Sequence, residues 1–198
     1  NAEDIYSSVE AAVLNRDELP DLMDHAARFS DLVILPQPYG PERTETDEKI
    51  TESALMANHC PLLIVPADEI ATTGSNVVIA WDGGRQALRA AKMAMPLLEK
   101  ADKVDVVIVA KNPDKILPEQ VSSDIATFLA RHQINVEIMI VPKSGEAISD
   151  LIRGHAREIG ANLIVMGGYG HSPVREFLFG GPTRKMLEDC RVPIFMAH

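Results

Sequence analysis

A chain of 198 residues with 46% apolar and 24% charged residues is too hydrophobic for a disordered polymer, and it is long enough for one large or two small packed domains. Its formal charge is −10, and its Lys and Arg are scattered rather than gathered in a stripe, so nucleic acid and anionic membrane are not expected partners. Apolar runs stop at about five or six residues, far short of the roughly 20 that span a bilayer, and residues 1–20 hold no signal-peptide core. The expectation is a soluble, untargeted, cytoplasmic protein whose Cys60 and Cys190 are reduced and outside any close metal-spaced pair. The chain opens on polar Asn-Ala-Glu-Asp without an initiator methionine, which points to a segment upstream of it.

Taken in order, Leu22, Ala26 and Phe29 mark the expected core face of a first helix, and the run at 31–35 reads as a strand. The next loop, Pro36-Gln37-Pro38-Tyr39-Gly40-Pro41, lacks backbone donors at its prolines and is followed by Glu42, Glu45, Asp47 and Glu48, a combination that repels phosphate. A second strand is expected at 61–65, and the polar, Gly-containing stretch 67–75 reads as a linker. From residue 76 the pattern becomes one of alternating strands and helices, the signal for βα units and a parallel sheet. Strands are expected at Asn76–Ala80, 105–110, 136–141, 162–166 and 192–196, all nearly continuous apolar runs that suit strands covered on both faces. Between them lie four helical faces. The first carries Ala87, Leu88, Ala91, Met95 and Leu98, with Pro96 bending its last turn. Val121, Ile125, Phe128 and Leu129 mark the second, and Ile148, Leu151, Ile152 and Ile159, capped from Ser144, mark the third. Met186 and Leu187 suggest a short fourth. Met93, Met95, Met139 and Met166 are expected to pack in the core.

The two ends of the chain repeat each other. Phe-Ser-Asp-Leu-Val-Ile-Leu-Pro-Gln-Pro-Tyr-Gly at 29–40 parallels Ile-Gly-Ala-Asn-Leu-Ile-Val-Met-Gly-Gly-Tyr-Gly at 159–170, and the strand at Cys60 parallels the one at Arg191. The first 70 residues therefore read as a degenerate, partial copy of a unit that is complete over 71–198. With only two strands, this copy must lean on its neighbour. The apolar runs 61–65 and 192–196 are expected at sheet margins, inviting pairing between repeats or between chains.

In an open parallel sheet, ligands bind beyond the carboxyl ends of the strands, where the winding reverses. There the first strand of the complete unit ends in Trp81-Asp82-Gly83-Gly84, placing a carboxylate where a ribose hydroxyl or adenine amine is met; the plain alternative is a helix N-cap. The fourth ends in Gly167-Gly168-Tyr169-Gly170, and Gly180-Gly181 precede a helix opening at Pro182. Glycines let backbone N–H groups surround an anion, and the helix start adds favourable partial charge. Chain reversal alone is the plain reading of any one such turn. His171, Arg175 and Arg184 flank this region and are solvated residues or phosphate partners. Ser172 does not fit a nucleophile elbow, His25 and His59 lack metal-ligand spacing, and no Walker lysine is present.

This pattern of Gly167-x-x-Gly170, nine residues and Gly180 resembles the universal stress protein family, whose ATP-binding members carry it followed by Ser or Thr. The stretch GGYGHSPVREFLFGGPTRKML looks especially like the bacterial tandem members. The resemblance implies a Rossmann-like α/β fold of the adenine nucleotide alpha hydrolase type, an open parallel five-stranded sheet with helices on both faces, in tandem with an incomplete N-terminal unit. It implies that Asp82 contacts the nucleoside, that Val109 lies against adenine, and that Gly167, Gly170 and Gly180 form the phosphate loop of an ATP or related adenine-nucleotide site, with Mg2+. His171, Gly181, Pro182 and Thr183 complete the set. Gly181 stands where the family has Ser or Thr, and Thr183 partly replaces the missing hydroxyl. One lost hydrogen bond to a charged group costs about 1.5–3 kcal/mol, which corresponds to affinity tens of times weaker. Pairing through the last strand implies an intramolecular pseudo-dimer, dimerised again as a homodimer. The function implied is nucleotide-responsive regulation or stress protection, with at most slow ATP hydrolysis. Two alternatives stand beside it: an interaction protein whose glycine loop only shapes the fold, and an adenylyl-transferring or flavin-dependent enzyme, supported by fold analogy alone.

Overall fold

The computed structural model describes residues 6–13, 15–57, 59–66, 73–110, 123–168, 182–189 and 191–198. The first part of the chain supplies α1 (Leu19–Ala27), β1 (Val33–Pro36), α2 (Glu45–Ala57) and β2 (Leu62–Val65). There follow β3 (Asn76–Ala80), α3 (Arg85–Met93), α4 (Met95–Leu98), β4 (Lys103–Ala110), α5 (Ser123–Arg131), β5 (Val136–Pro142), α6 (Ile148–Glu158), β6 (Leu163–Gly167), α7 (Pro182–Asp189) and β7 (Ile194–Ala197). All strands join one seven-stranded sheet in the order β1-β2-β7-β6-β3-β4-β5. The expected five strands of the C-terminal unit run mutually parallel, as do β1 and β2. The two sets meet antiparallel at β2 and β7.

Successive strand residues face opposite sides of a sheet, so each side collects its own core. On one, Val77, Ile79, Val104, Val106, Ile108, Leu163 and Val165 pack beneath Ala87, Ala90, Leu98, Ile125 and Leu129 of α3, α4 and α5. The other joins Val78, Val107, Ile164, Met166, Ile194 and Met196 to Leu62 and Ile64, beneath Ala54 and Leu55 of α2, Ile152 and Ala156 of α6, and Met186 and Leu187 of α7. Pro96 lacks an N–H, and the helical run accordingly breaks at Ala94 between α3 and α4. At the end of α6, Gly160 takes φ +64°, a left-handed turn that a side chain would strain.

The seam between β2 and β7 is locally symmetric. Leu63 pairs with Phe195, flanked by Leu62 with Met196 and Ile64 with Ile194. The bonds behind it match too: the Val33 N–H donates to the Pro61 carbonyl at 3.0 Å and the Ile164 N–H to that of Pro193 at 2.9 Å. Likewise the Gln37 N–H donates to Val65 and the Gly168 N–H to Ala197, both at 2.8 Å. These bonds equate Gln37 with Gly168. The first copy thus has one more residue before its Tyr-Gly than the second.

Several expectations change. The strands at 61–65 and 192–196 do pair with each other, as expected, and that pairing takes both off the margin of the combined sheet, which is β1 and β5 instead. As a margin, β5 alternates half-buried and exposed residues, and Met139 faces outward. On α1 the inward stripe is Met23 and Ala27, while Leu22 is 37% and Phe29 89% exposed. Glu45, Asp47 and Glu48 do not form a loop but the first turn of α2, where acids complement the helix dipole. Thr44 and Asp47 close that turn: Asp47 accepts the Thr44 N–H and hydroxyl at 2.8 Å each, and Thr44 Oγ1 accepts the Thr46 N–H at 3.2 Å. Ser144 does not cap α6; Ala147 is the N-cap, and the Ser144 hydroxyl donates to Glu146 at 3.0 Å.

Candidate functional site

β3 lies between β6 and β4, so the direction of winding reverses beside it, and its carboxyl end is the switch point of the parallel set. Asp82 stands just beyond that end, exposed, and its Oδ1 accepts the Gly84 N–H at 2.7 Å. Gly84 is the N-cap of α3 and has no side-chain cap of its own, so Asp82 supports the helix start from two residues upstream. Val109 is the penultimate residue of β4, half-buried, and paired with Val141 of β5. Gly167 ends β6 on the same rim, and α7 opens at Pro182 with Thr183 half-buried in its first turn. Gly170, His171, Gly180 and Gly181, with Ser172, Arg175 and Cys190, lie outside the described residues.

The two glycines at the end of β6 have packing reasons to be glycine. A Cβ on Gly167 would sit 2.6 Å from the Ala87 nitrogen and 2.7 Å from the Gln86 carbonyl carbon, so the strand end approaches the backbone of α3 directly. On Gly168 a Cβ would meet Leu55 Cδ2 at 2.7 Å. The Gly168 N–H is committed to Ala197, and its carbonyl lies 3.0 Å from His198 Nδ1. The Gly168 amide is therefore not available to an anion. Arg184, read from the sequence as a solvated residue or a phosphate partner, pairs through Nε with Glu188 Oε1 at 2.6 Å and holds its guanidinium carbon 5.0 Å from the centre of the Tyr39 ring. Burial, with Glu48 nearby, raises the Tyr39 pKa.

A polar cluster that sequence reading missed lies across the sheet. Asp105 on β4 is 1% exposed, and its Oδ2 lies 2.8 Å from Nε2 of His155, itself 9% exposed on α6. Lys103 Nζ reaches Asp105 Oδ1 at 3.3 Å and Glu137 Oε2 at 2.9 Å, and these two carboxylates raise its pKa. The signal was a carboxylate at inward parity with Val107 and Val109 in an apolar strand. Beside His155 opens a groove of about 320 Å³ lined by Val141, Glu146, Asp150, Leu151, Gly154 and Glu158. Its three carboxylates disfavour a polyphosphate, so it does not compete with the switch-point rim as a nucleotide site. His59 pairs with Asp24 at 2.8 Å, and among the described residues no cluster of His, Cys, Asp and Glu has metal-holding geometry.

A mostly parallel sheet wound in both directions from β3, with helices on both faces, defines a doubly wound α/β protein. The profile of the universal stress protein family matches residues 75–198, and the chain belongs to that family. Among solved structures it is similar to a universal stress protein from Archaeoglobus fulgidus, at 18% identity and a TM-score of 0.69, covering 90% of this chain and 64% of that one. This chain thus spans less than two thirds of that relative's length. A second Archaeoglobus fulgidus universal stress protein matches at 21% identity and a TM-score of 0.50, covering 62% of this chain and 97% of its own. A universal stress protein in complex with cAMP matches at 20% identity and a TM-score of 0.50, over 64% of this chain and 98% of its own. No curated protein sequence matches.

Proposed function

We propose that the chain is an adenine-nucleotide-binding regulatory protein of the stress response, with one site, on the carboxyl rim of β3, β4 and β6. The observation that carries the reading is the convergence of Asp82, Val109 and Gly167 on the switch-point rim, with Thr183 in the first turn of the helix after β6. An exposed carboxylate suits the hydroxyls of a ribose or the amine of adenine, and a half-buried valine suits a base. The glycine spacing from Gly167 through Gly170 to Gly180 and Gly181, with His171 and Pro182, supports a phosphate loop for ATP or a related nucleotide, with Mg2+. The cAMP complex of a protein with the same fold adds support for the ligand class. Residues 1–70 form a partial unit and 71–198 a complete one, joined as an intramolecular pseudo-dimer that pairs again as a cytoplasmic homodimer. Among the described residues no helix is long and apolar enough to cross a membrane.

The packing demands on Gly167 and Gly168 favour a second reading, an interaction protein whose glycines serve the fold alone. Calorimetric titration of ATP and cAMP into protein stripped of endogenous ligand separates the two. Saturable binding, weakened in Asp82→Asn, which keeps an oxygen for the Gly84 N–H, and lost in Gly170→Val, with both variants unfolding at the wild-type midpoint, is the expected result. Absence of binding by the wild-type chain refutes the nucleotide reading.

A further inference from the structure

The seam makes Gln37 and Gly168 counterparts, yet the two do opposite things. Gly168 leaves room for Leu55 of α2, as the 2.7 Å approach of an added Cβ to that side chain shows. Its counterpart reaches across instead: Gln37 Nε2 donates to the Leu187 carbonyl at 2.5 Å and to the Glu188 carbonyl at 2.9 Å. Both acceptors belong to the last turn of α7, where carbonyls have no partner within the helix. Two residues on, Tyr39 lies under Arg184, which Glu188 holds from one turn further along α7. The loop that reads as a dead phosphate site thus caps and grips the helix that follows the glycine loop of the other copy.

An eight-residue helix is about 12 Å long, so fixing its last turn fixes where its first turn stands. That first turn holds Thr183, which the proposed function counts among the nucleotide-site residues. We infer that Gln37 and Tyr39 are positioning residues for that site, so that nucleotide affinity in the C-terminal unit is set in part by the N-terminal one. The inference rests on the nucleotide reading above.

The test is ATP titration of the full chain as wild type, Gln37→Met, Gln37→Lys and Tyr39→Leu, with amide hydrogen exchange followed over α7. Methionine keeps the length of glutamine without its donors, whereas lysine restores N–H donors to the same carbonyls. Loss of one or two such bonds is expected to weaken ATP binding by about five- to tenfold in Gln37→Met, with faster exchange confined to α7. Gln37→Lys is expected within about twofold of wild type, and Tyr39→Leu to weaken binding about three- to fivefold. A merely structural role would lower the unfolding midpoint without this rescue and without the localised exchange. Wild-type binding that Gln37→Met and Tyr39→Leu leave unchanged overturns the inference and spares the nucleotide reading. No binding by the wild type overturns both, and that arm alone tells the two failures apart.

Discussion

Replacing Gly167 by alanine probes how closely the end of β6 docks against α3. The new Cβ would lie 2.6 Å from Ala87 N, 2.7 Å from Gln86 C and 2.8 Å from Gln86 Cβ. Carbon contacts settle near 3.5–4.0 Å, so something must retreat by roughly 1 Å. Two of the three atoms are backbone and cannot rotate away, which leaves movement of α3 as a body. That helix is seated by Ala87, Ala90 and Ala91, all buried, so moving it opens space elsewhere in the core. Overpacking of this kind costs about 1–3 kcal/mol, and a small part is returned by the lower chain entropy of alanine in the unfolded state. A net loss of about 2 kcal/mol is expected, or roughly 4–8 °C in Tm at this chain length. Gly168→Ala is the control. Its obstacle is a methyl of Leu55, which can turn to another rotamer, so about 1 kcal/mol or less is expected. Urea unfolding followed by circular dichroism measures both. A Gly167→Ala protein as stable as wild type, or a Gly168→Ala protein that loses more, refutes the docking argument.

Removing His155 takes away one of the two ion-pair partners, His155 and Lys103, that the buried Asp105 has among the described residues. His155→Leu is expected to cost about 3 kcal/mol, and the Asp105→Leu/His155→Leu double variant much less than the two singles summed, a coupling that a double-mutant cycle reads directly. Acid should destabilise the N-terminal half in a defined way. Hydrogen bonds from His59 and Arg28 hold the Asp24 carboxyl below its ordinary range, and those from the Thr44 N–H and hydroxyl do the same for Asp47. A carboxyl depressed in the folded state contributes stability above its unfolded value of about 3.9, and that contribution disappears as pH falls through the folded value. Asp24→Asn and Asp47→Asn should therefore flatten the loss of stability between about pH 5 and pH 2, and urea midpoints across that window that parallel wild type contradict it. Leu62→Ala, at a fully buried seam position, is expected to cost about 2–5 kcal/mol by thermal or chemical unfolding.

The strands were legible because continuous apolar runs of β-branched residues announce doubly covered strands, and each of the seven expected runs overlaps one. Their ends were less so. β4 begins at Lys103 because its pairing with Asn76 needs only backbone. Helix α2 escaped notice since its first turn is acidic and only Thr51, Ala54 and Leu55 of its residues are buried, too few to draw a clear stripe. On α1, both Leu22 with Ala26 and Met23 with Ala27 have helical spacing, and only the neighbouring α2 decides between them. The rim positions of Asp82 and Gly167 were readable because both stand at the ends of the apolar runs that form β3 and β6. The demands that α3 and Leu55 place on Gly167 and Gly168 were not, because those partners are far away in the chain. The same holds for Asp105 and His155, fifty positions apart.

Because β2 and β7 belong to one polypeptide, their meeting is a unimolecular event. Between separate subunits the same junction would come apart on dilution, whereas here its occupancy is independent of how much protein a cell contains.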